Sequence, residues 1–201
     1  MIVIVDYNMG NLGSIRNMFL RIEVDALISS NPTVISKAQK LILPGVGAFD
    51  TAMSRVNSSG LREILDRKTL VEQTPILGIC LGMQLLTRSS EEGKLPGLGW
   101  INAETRRFPA SLNLKVPHMG WNLVIPATKH SLTENLPDEP RFYFVHSYYV
   151  QTVNPEDSIL KTTYGITFDS AIAHKNICGV QFHPEKSHKY GMMLLSNFAR
   201  L

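Results

Sequence analysis

Gly78-Ile79-Cys80-Leu81-Gly82 sets a thiol between two glycines, in the Gly-x-nucleophile-x-Gly form of a sharp strand-to-helix elbow. Glycines on either side let neighbouring backbone crowd the turn, which pushes the intervening side chain into the open. At the start of a helix, the dipole and the free amides favour thiolate and lower a cysteine pKa from roughly 8.5 into the range of about 3.5–7.5. Such a thiolate attacks acyl carbons. The bland alternative is a small buried hydrophobe, the commoner fate of cysteine, so the elbow needs a companion.

His183-Pro184-Glu185 provides one, directly after the apolar run Gly179-Val180-Gln181-Phe182. If that run is a strand parallel to the one before Cys80, the imidazole reaches the same carboxyl edge of the sheet and can take the thiol proton. Glu185 then fixes the His183 tautomer and stabilises the imidazolium, while Pro184 stiffens the turn by fixing φ. A lone His-x-Glu is usually a surface pair; joined to the elbow it reads as a Cys-His-Glu triad. Acyl transfer also needs donors aimed at the developing oxyanion. The amide of Leu81 comes with the elbow, and the loop Pro44-Gly45-Val46-Gly47 offers another from Val46 or Gly47. The same glycines make a poor dinucleotide fingerprint, because Asp50 stands at the third glycine position.

These groups need a frame that delivers each to one edge. Ile2-Val3-Ile4-Val5, closed by Asp6 and followed by Leu12, Ile15, Phe19 and Ile22 at helical spacing, reads as strand, loop, helix. Leu41-Ile42-Leu43 and Ile76-Leu77-Gly78-Ile79 begin two further such units, and three βα units argue for a parallel sheet covered on both faces. From about Gly97 the runs shorten: Leu123-Val124-Ile125, Phe142-Tyr143-Phe144-Val145 and Tyr148-Tyr149-Val150 are separated by Pro, Asn and Asp, as in antiparallel or mixed strands. Residues 179–182 form a last strand, and Met192, Leu195, Phe198 and Ala199 a final amphipathic helix. The expectation is one α/β domain over residues 1–201, with a mixed, mostly parallel central sheet flanked by helices.

A chain of 201 residues with 44% hydrophobic content buries a full core without staples. A charged fraction of 18% and a net charge of +3 indicate neither a nucleic-acid footprint nor a disordered tail. Cys80 and Cys178 are the only cysteines, with no CxxC spacing, so neither a disulfide framework nor a zinc site is expected, and the usage fits a reducing cytoplasm. His130, His174 and His188 have no companions that suggest a metal, and no cofactor is implied. The N-terminus lacks a basic n-region and the apolar stretch 75–86 is short and broken, so no membrane partner is expected.

Over essentially its whole length the chain resembles the class I, triad-type glutamine amidotransferases, of flavodoxin-like architecture. The resemblance runs from Asp6-Tyr7-Asn8-Met9-Gly10-Asn11-Leu12 through Pro44-Gly45-Val46-Gly47, the elbow with Met83-Gln84-Leu85-Leu86, Pro117-His118-Met119-Gly120-Trp121-Asn122 and Tyr143-Phe144-Val145-His146-Ser147-Tyr148, to Gln181-Phe182-His183-Pro184-Glu185-Lys186-Ser187. It implies that Cys80 is the nucleophile, His183 the general acid and base, and Glu185 the orienting carboxylate. It further implies glutamine as substrate, held by Gly47, Gln84, Ser147 and Tyr148; Gln84, four residues past Cys80, falls on the same helical face. Asn11, Trp121, Asn122 and Lys186 match positions that face a partner, a HisF-type (β/α)8 cyclase in a heterodimer serving histidine biosynthesis. Asn8 stands where many relatives have Gly, at a position able to adopt positive φ.

Two other readings compete. Residues 91–100 resemble a paralogous branch that supplies ammonia for amination of a surface-polysaccharide sugar. A stand-alone Cys hydrolase would share the triad but need neither Gln84 nor a partner face.

Overall fold

In the computed structural model, which describes residues 1–201, the apolar runs become the middle of one sheet. The strands are β1 (Ile2–Val5), β2 (Ala26–Ser29), β3 (Lys40–Gly45), β4 (Ile76–Cys80), β5 (Ser89–Ser90), β6 (Ala103–Arg107), β7 (His118–Leu123), β8 (Ile125–Pro126), β9 (Arg141–His146), β10 (Tyr148–Thr152), β11 (Ser158–Tyr164), β12 (Ile166–His174) and β13 (Ile177–Val180). The helices are α1 (Leu12–Arg21), α2 (Pro32–Ser36), α3 (Phe49–Ser58), α4 (Leu61–Asp66), α5 (Leu81–Leu85) and α6 (His188–Arg200). The sheet runs β2-β1-β3-β4-β13-β12-β10-β6-β5, and its first five strands are parallel. The expected α/β class and mixed central sheet are thus present.

Burial on both faces explains why the parallel strands are continuous apolar runs. Val3 and Val5 of β1 pack on one side with Phe49 and Met53 of α3 and Leu61 of α4. Ile2 and Ile4 pack on the other with Ile15 and Phe19 of α1 and Leu194 and Phe198 of α6. Every residue of β1, β4 and β13 is buried. No helix is long and apolar enough to cross a membrane.

Beyond β13 the sheet turns antiparallel through β12, β10 and β6, while β7 and β9 form a separate ribbon that pairs His118 with His146 and Trp121 with Tyr143. Two expected strands differ. The last parallel strand is residues 177–180, so Gln181 and Phe182 fall just past its ladder; Gln181 N–H still donates to the Ser170 carbonyl at 2.9 Å. The run 123–125 is divided between β7 and β8, because Val124 turns into the core and donates its N–H to the Pro140 carbonyl. Asn8 does take positive φ, 61°.

Candidate active site

β3, β4 and β13 all end at one edge, with Gly45 paired to Cys80 and Val180 to Ile79. Cys80 leaves β4 at φ 55° and ψ −110°, a conformation L-residues avoid and a turn of this sharpness requires. The flanking glycines are needed for space. A Cβ on Gly82 would lie 1.8 Å from the Leu43 carbonyl oxygen, and one on Gly78 would lie 2.6 Å from the Gly82 oxygen. Backbone therefore packs on backbone, and the thiol is left facing a cleft of ≈ 300 Å³. Val46, Gly47, Leu81, Gln84, Ser147, Tyr148 and His183 line that cleft with Cys80. α5 is only five residues long, so the helix-dipole contribution to the thiolate expected from the elbow is small, and other groups must hold the charge.

His183 is one of them. Its N–H donates to the Tyr143 carbonyl at 2.8 Å, and the Ser187 hydroxyl, which donates to the His183 carbonyl at 2.6 Å, accepts from Tyr143 N–H at 3.0 Å. These contacts clamp the turn to β9. Nδ1 of His183 meets Oε1 of Glu185 at 2.7 Å, with both side chains buried, so Nδ1 carries a proton and Nε2 is the nitrogen free for chemistry. Nε2 is buried and has no hydrogen-bond partner in the protein. Burial opposes charge on this imidazole, but the Cys80 sulfur and Glu185 more than offset it and hold its pKa up to about 10. The same burial pushes the Tyr7 phenol up, with the Cys80 charge adding to it; its hydroxyl donates to the Pro44 carbonyl. Cys178 is buried in β13 and pushed up to about 12 by desolvation, as fits a structural cysteine.

Gln84 is buried beside the cleft, and its Nε2 donates to the Tyr148 carbonyl at 3.2 Å and to Oε1 of Gln181 at 3.1 Å, leaving Oε1 as the atom it can offer a ligand. The Tyr148 carbonyl also accepts from His146 Nδ1 at 2.7 Å. His146 must then accept at Nε2, from His118 Nδ1 at 2.9 Å, and His118 accepts at Nε2 from the Asn122 amide at 3.1 Å. Burial depresses both imidazoles, His118 to about 4 and His146 to about 3, so both are neutral orienting groups.

The sequence model of the family described as "Glutamine amidotransferase class-I" matches residues 3–200. The chain belongs to this family. A relative named imidazole glycerol phosphate synthase subunit HisH 2, from Methanococcus maripaludis, is 56% identical over 100% of this chain and 99% of the relative. A second of the same name, from Pseudomonas aeruginosa, is 47% identical over 100% of both, and a subunit HisH from Bdellovibrio bacteriovorus is 46% identical over 100% of both. Among solved structures, a glutamine amidotransferase with TM-score 0.76 covers 99% of this chain and 97% of its own at 16% identity, and one from Thermotoga maritima has TM-score 0.64 at 17% identity, covering 99% and 81%. At those identities the likeness is one of fold.

On this class-I amidotransferase the residues expected to face a partner do not behave alike. The pleat of β7 turns Met119 and Trp121 to the exposed side and His118 inward. Trp121 stacks on His188 (centroids 5.6 Å apart, planes 8° apart) beside Tyr143, over whose ring Lys186 Nζ sits at 5.7 Å. Asn11 is exposed at the start of α1. Asn122 shares the His118 side of the pleat, so its amide is engaged within the chain, donating to His118 and to the Thr163 carbonyl and accepting from Leu123 N–H. Two groups, one lining the cleft and one buried beside Cys80, lie outside the expected set. Glu92 is the only carboxylate in the lining; desolvation first, then the Asp50 charge, raise its pKa, while it accepts from Phe49 N–H at 3.0 Å. The other is Gln181, fully buried behind the sulfur.

Proposed function

We propose that this chain is the glutaminase subunit of imidazole glycerol phosphate synthase, working in the cytoplasm and passing ammonia to a HisF-type (β/α)8 cyclase of histidine biosynthesis. The supporting observation is the ordered set of Cys80, His183 and Glu185 at one cleft, in a chain whose full-length relatives carry that name. The Cys80 thiolate attacks the side-chain amide carbon of glutamine, and amides of Leu81 and of Val46 or Gly47 receive the oxyanion. The C–N bond breaks as His183 Nε2–H protonates the departing nitrogen, leaving ammonia and a glutamyl thioester. Water then attacks the thioester, its proton passes to His183, and the C–S bond breaks to give glutamate and thiolate. Gln84 Oε1, Ser147, Tyr148 and the Glu92 carboxylate hold the amino-acid end, with Glu92 supplying the negative charge an α-ammonium needs.

Free ammonia is protonated and diluted in water, so productive turnover calls for a bound partner. Trp121, Lys186 and Asn11 supply exposed anchors for it. The test is glutamate release by the chain alone and with a HisF-type barrel plus its nucleotide ligand. Activation of 10²–10³-fold, about 2.7–4 kcal/mol, is expected, comparable to placing one oxyanion donor. Equal turnover without the partner would promote the stand-alone hydrolase.

A second reading rests on the names of the two relatives at 56% and 47% identity, both numbered 2. It assigns the chain to a paralogous branch that feeds ammonia to a sugar-aminating ligase. Activation only when that ligase joins the barrel would select it.

A further inference from the structure

The amide of Gln181 stands behind the nucleophile, fully buried, with Nε2 3.7 Å from the Cys80 sulfur and Oε1 accepting from Gln84. Which end of a side-chain amide faces a sulfur decides its chemistry, since an N–H stabilises thiolate and an oxygen repels it. Here the orientation follows from a main-chain group. A carbonyl only accepts, so the Tyr148 carbonyl requires the nitrogen end of Gln84 at 3.2 Å. That same nitrogen faces Gln181, which must answer with its oxygen and turn its N–H towards Cys80. The Tyr148 carbonyl is itself fixed by His146 Nδ1–H, so the orientation is anchored from two sides.

We infer that Gln181 is a further catalytic residue of this site: its amide N–H donates to the Cys80 thiolate and keeps the nucleophile charged, in an orientation set by the Tyr148 carbonyl through Gln84. This rests on the reading of Cys80 as nucleophile. The sulfur meets the His183 imidazolium, with Glu185 behind it, and on the buried side this neutral donor at 3.7 Å, closer than the Val145 carbonyl at 3.9 Å. Tyr7, from the loop after β1, is held neutral, and His146, on β9, is also neutral, so neither supplies a counter-charge. A neutral donor at the rear stabilises the charge on sulfur before it attacks the amide carbon, and again when the C–S bond of the thioester breaks and the thiolate returns.

The test is the pH dependence of Cys80 alkylation by iodoacetamide on the full chain, followed by mass spectrometry of the Cys80 peptide alongside glutamine turnover. Gln181→Leu removes the donor at similar volume, and Gln181→Glu keeps shape and the acceptor for Gln84 while turning an oxygen to sulfur. The alkylation midpoint should rise by about one pH unit in the leucine variant, a tenfold loss of thiolate below it, and at least as far in the glutamate variant. Should the leucine variant fail to fold, the glutamate variant decides alone. Midpoints within about 0.3 unit of the parent in folded variants would reduce Gln181 to packing and overturn the inference. Parent enzyme that keeps full glutamine turnover after complete Cys80 alkylation would overturn the nucleophile assignment itself, and the inference with it.

Discussion

His118 Nδ1 lies 2.9 Å from His146 Nε2, and both imidazoles are buried between β7, β9 and a cluster of aromatic rings that includes Phe108, Phe144 and Phe168. The pair only fits together when uncharged.

An acid-stability slope follows. Burial holds His118 down to about 4 and His146 to about 3, whereas both protonate near 6.5 in the unfolded chain. Between those values the unfolded state binds more protons, so the stability that this pair contributes is full above about pH 6.5 and falls as pH drops from there towards 4. His183, raised to about 10, acts in the opposite sense: its contribution is complete well below about pH 6.5, where both states hold the proton, and is lost as pH rises from there towards 10. Each buried imidazole contributes up to about 1.4 kcal/mol per pH unit. Urea midpoints between pH 7.5 and 4.5 should flatten in His118→Gln and His146→Gln; an unchanged slope in the double variant would show that other groups dominate.

Cys80→Ala should cut glutamine hydrolysis by at least roughly 10³-fold, because no other cleft side chain can form the thioester. Cys80→Gly should be equally inactive yet more stable than the alanine variant by about 1 kcal/mol, since glycine accepts φ 55° without strain. Thermal melts of the two side by side check the point. Cys178→Ser should leave turnover untouched and lower only the melting temperature.

Glu185→Gln should lower kcat on the order of 10²-fold with KM little changed, because the carboxylate acts on His183 and not on glutamine. The imidazole loses a negative neighbour, so its pKa should fall, visible as a downward shift of its NMR titration. A rise in KM alone would count against this role. Gln84→Ala should do the reverse, weakening glutamine capture more than the chemical step.

Two glycines give opposite outcomes. A Cβ on Gly82 would lie 1.8 Å from the Leu43 carbonyl, between backbones that cannot part, so Gly82→Ala should cost about 3 kcal/mol or more, or prevent folding. Gly13 in α1 has open space around the same atom and an ordinary φ, and Gly13→Ala should stabilise by about 0.5–1 kcal/mol. Denaturant titrations that rank the two the other way would contradict the elbow packing.

The elbow, the His-Pro-Glu turn and the parallel strands are legible in sequence because each has a local cause: glycine spacing, a proline-stiffened pair, apolar runs buried on both faces. Gln181 is not, since nothing local separates a strand-end glutamine from a solvated one; its meaning comes from Gln84 and Cys80, about a hundred residues upstream. Glu92 is hidden likewise by its place in a loop pinned to α3, where Asp50 accepts from Lys94 and Leu95 N–H. The β11–β12 hairpin escapes notice because Lys161, Thr162, Asp169 and Ser170 interrupt its apolar pattern. Those polar groups are partly reconciled by pairing, Asp169 with Lys161 at 2.6 Å and with Ser158 at 2.7 Å. Asn122 is assigned outward by its motif, and strand alternation, applied to 118–123, would have turned it inward beside His118.

That alternation gives β7 two independent alphabets. Even-numbered positions, His118 and Asn122, spell the polar interior that ends at the substrate cleft, whereas odd-numbered Met119 and Trp121 spell the outer surface. A substitution at an odd position therefore changes what the surface presents without touching the hydrogen-bonded chain that runs from Asn122 through His118 and His146 to the Tyr148 carbonyl.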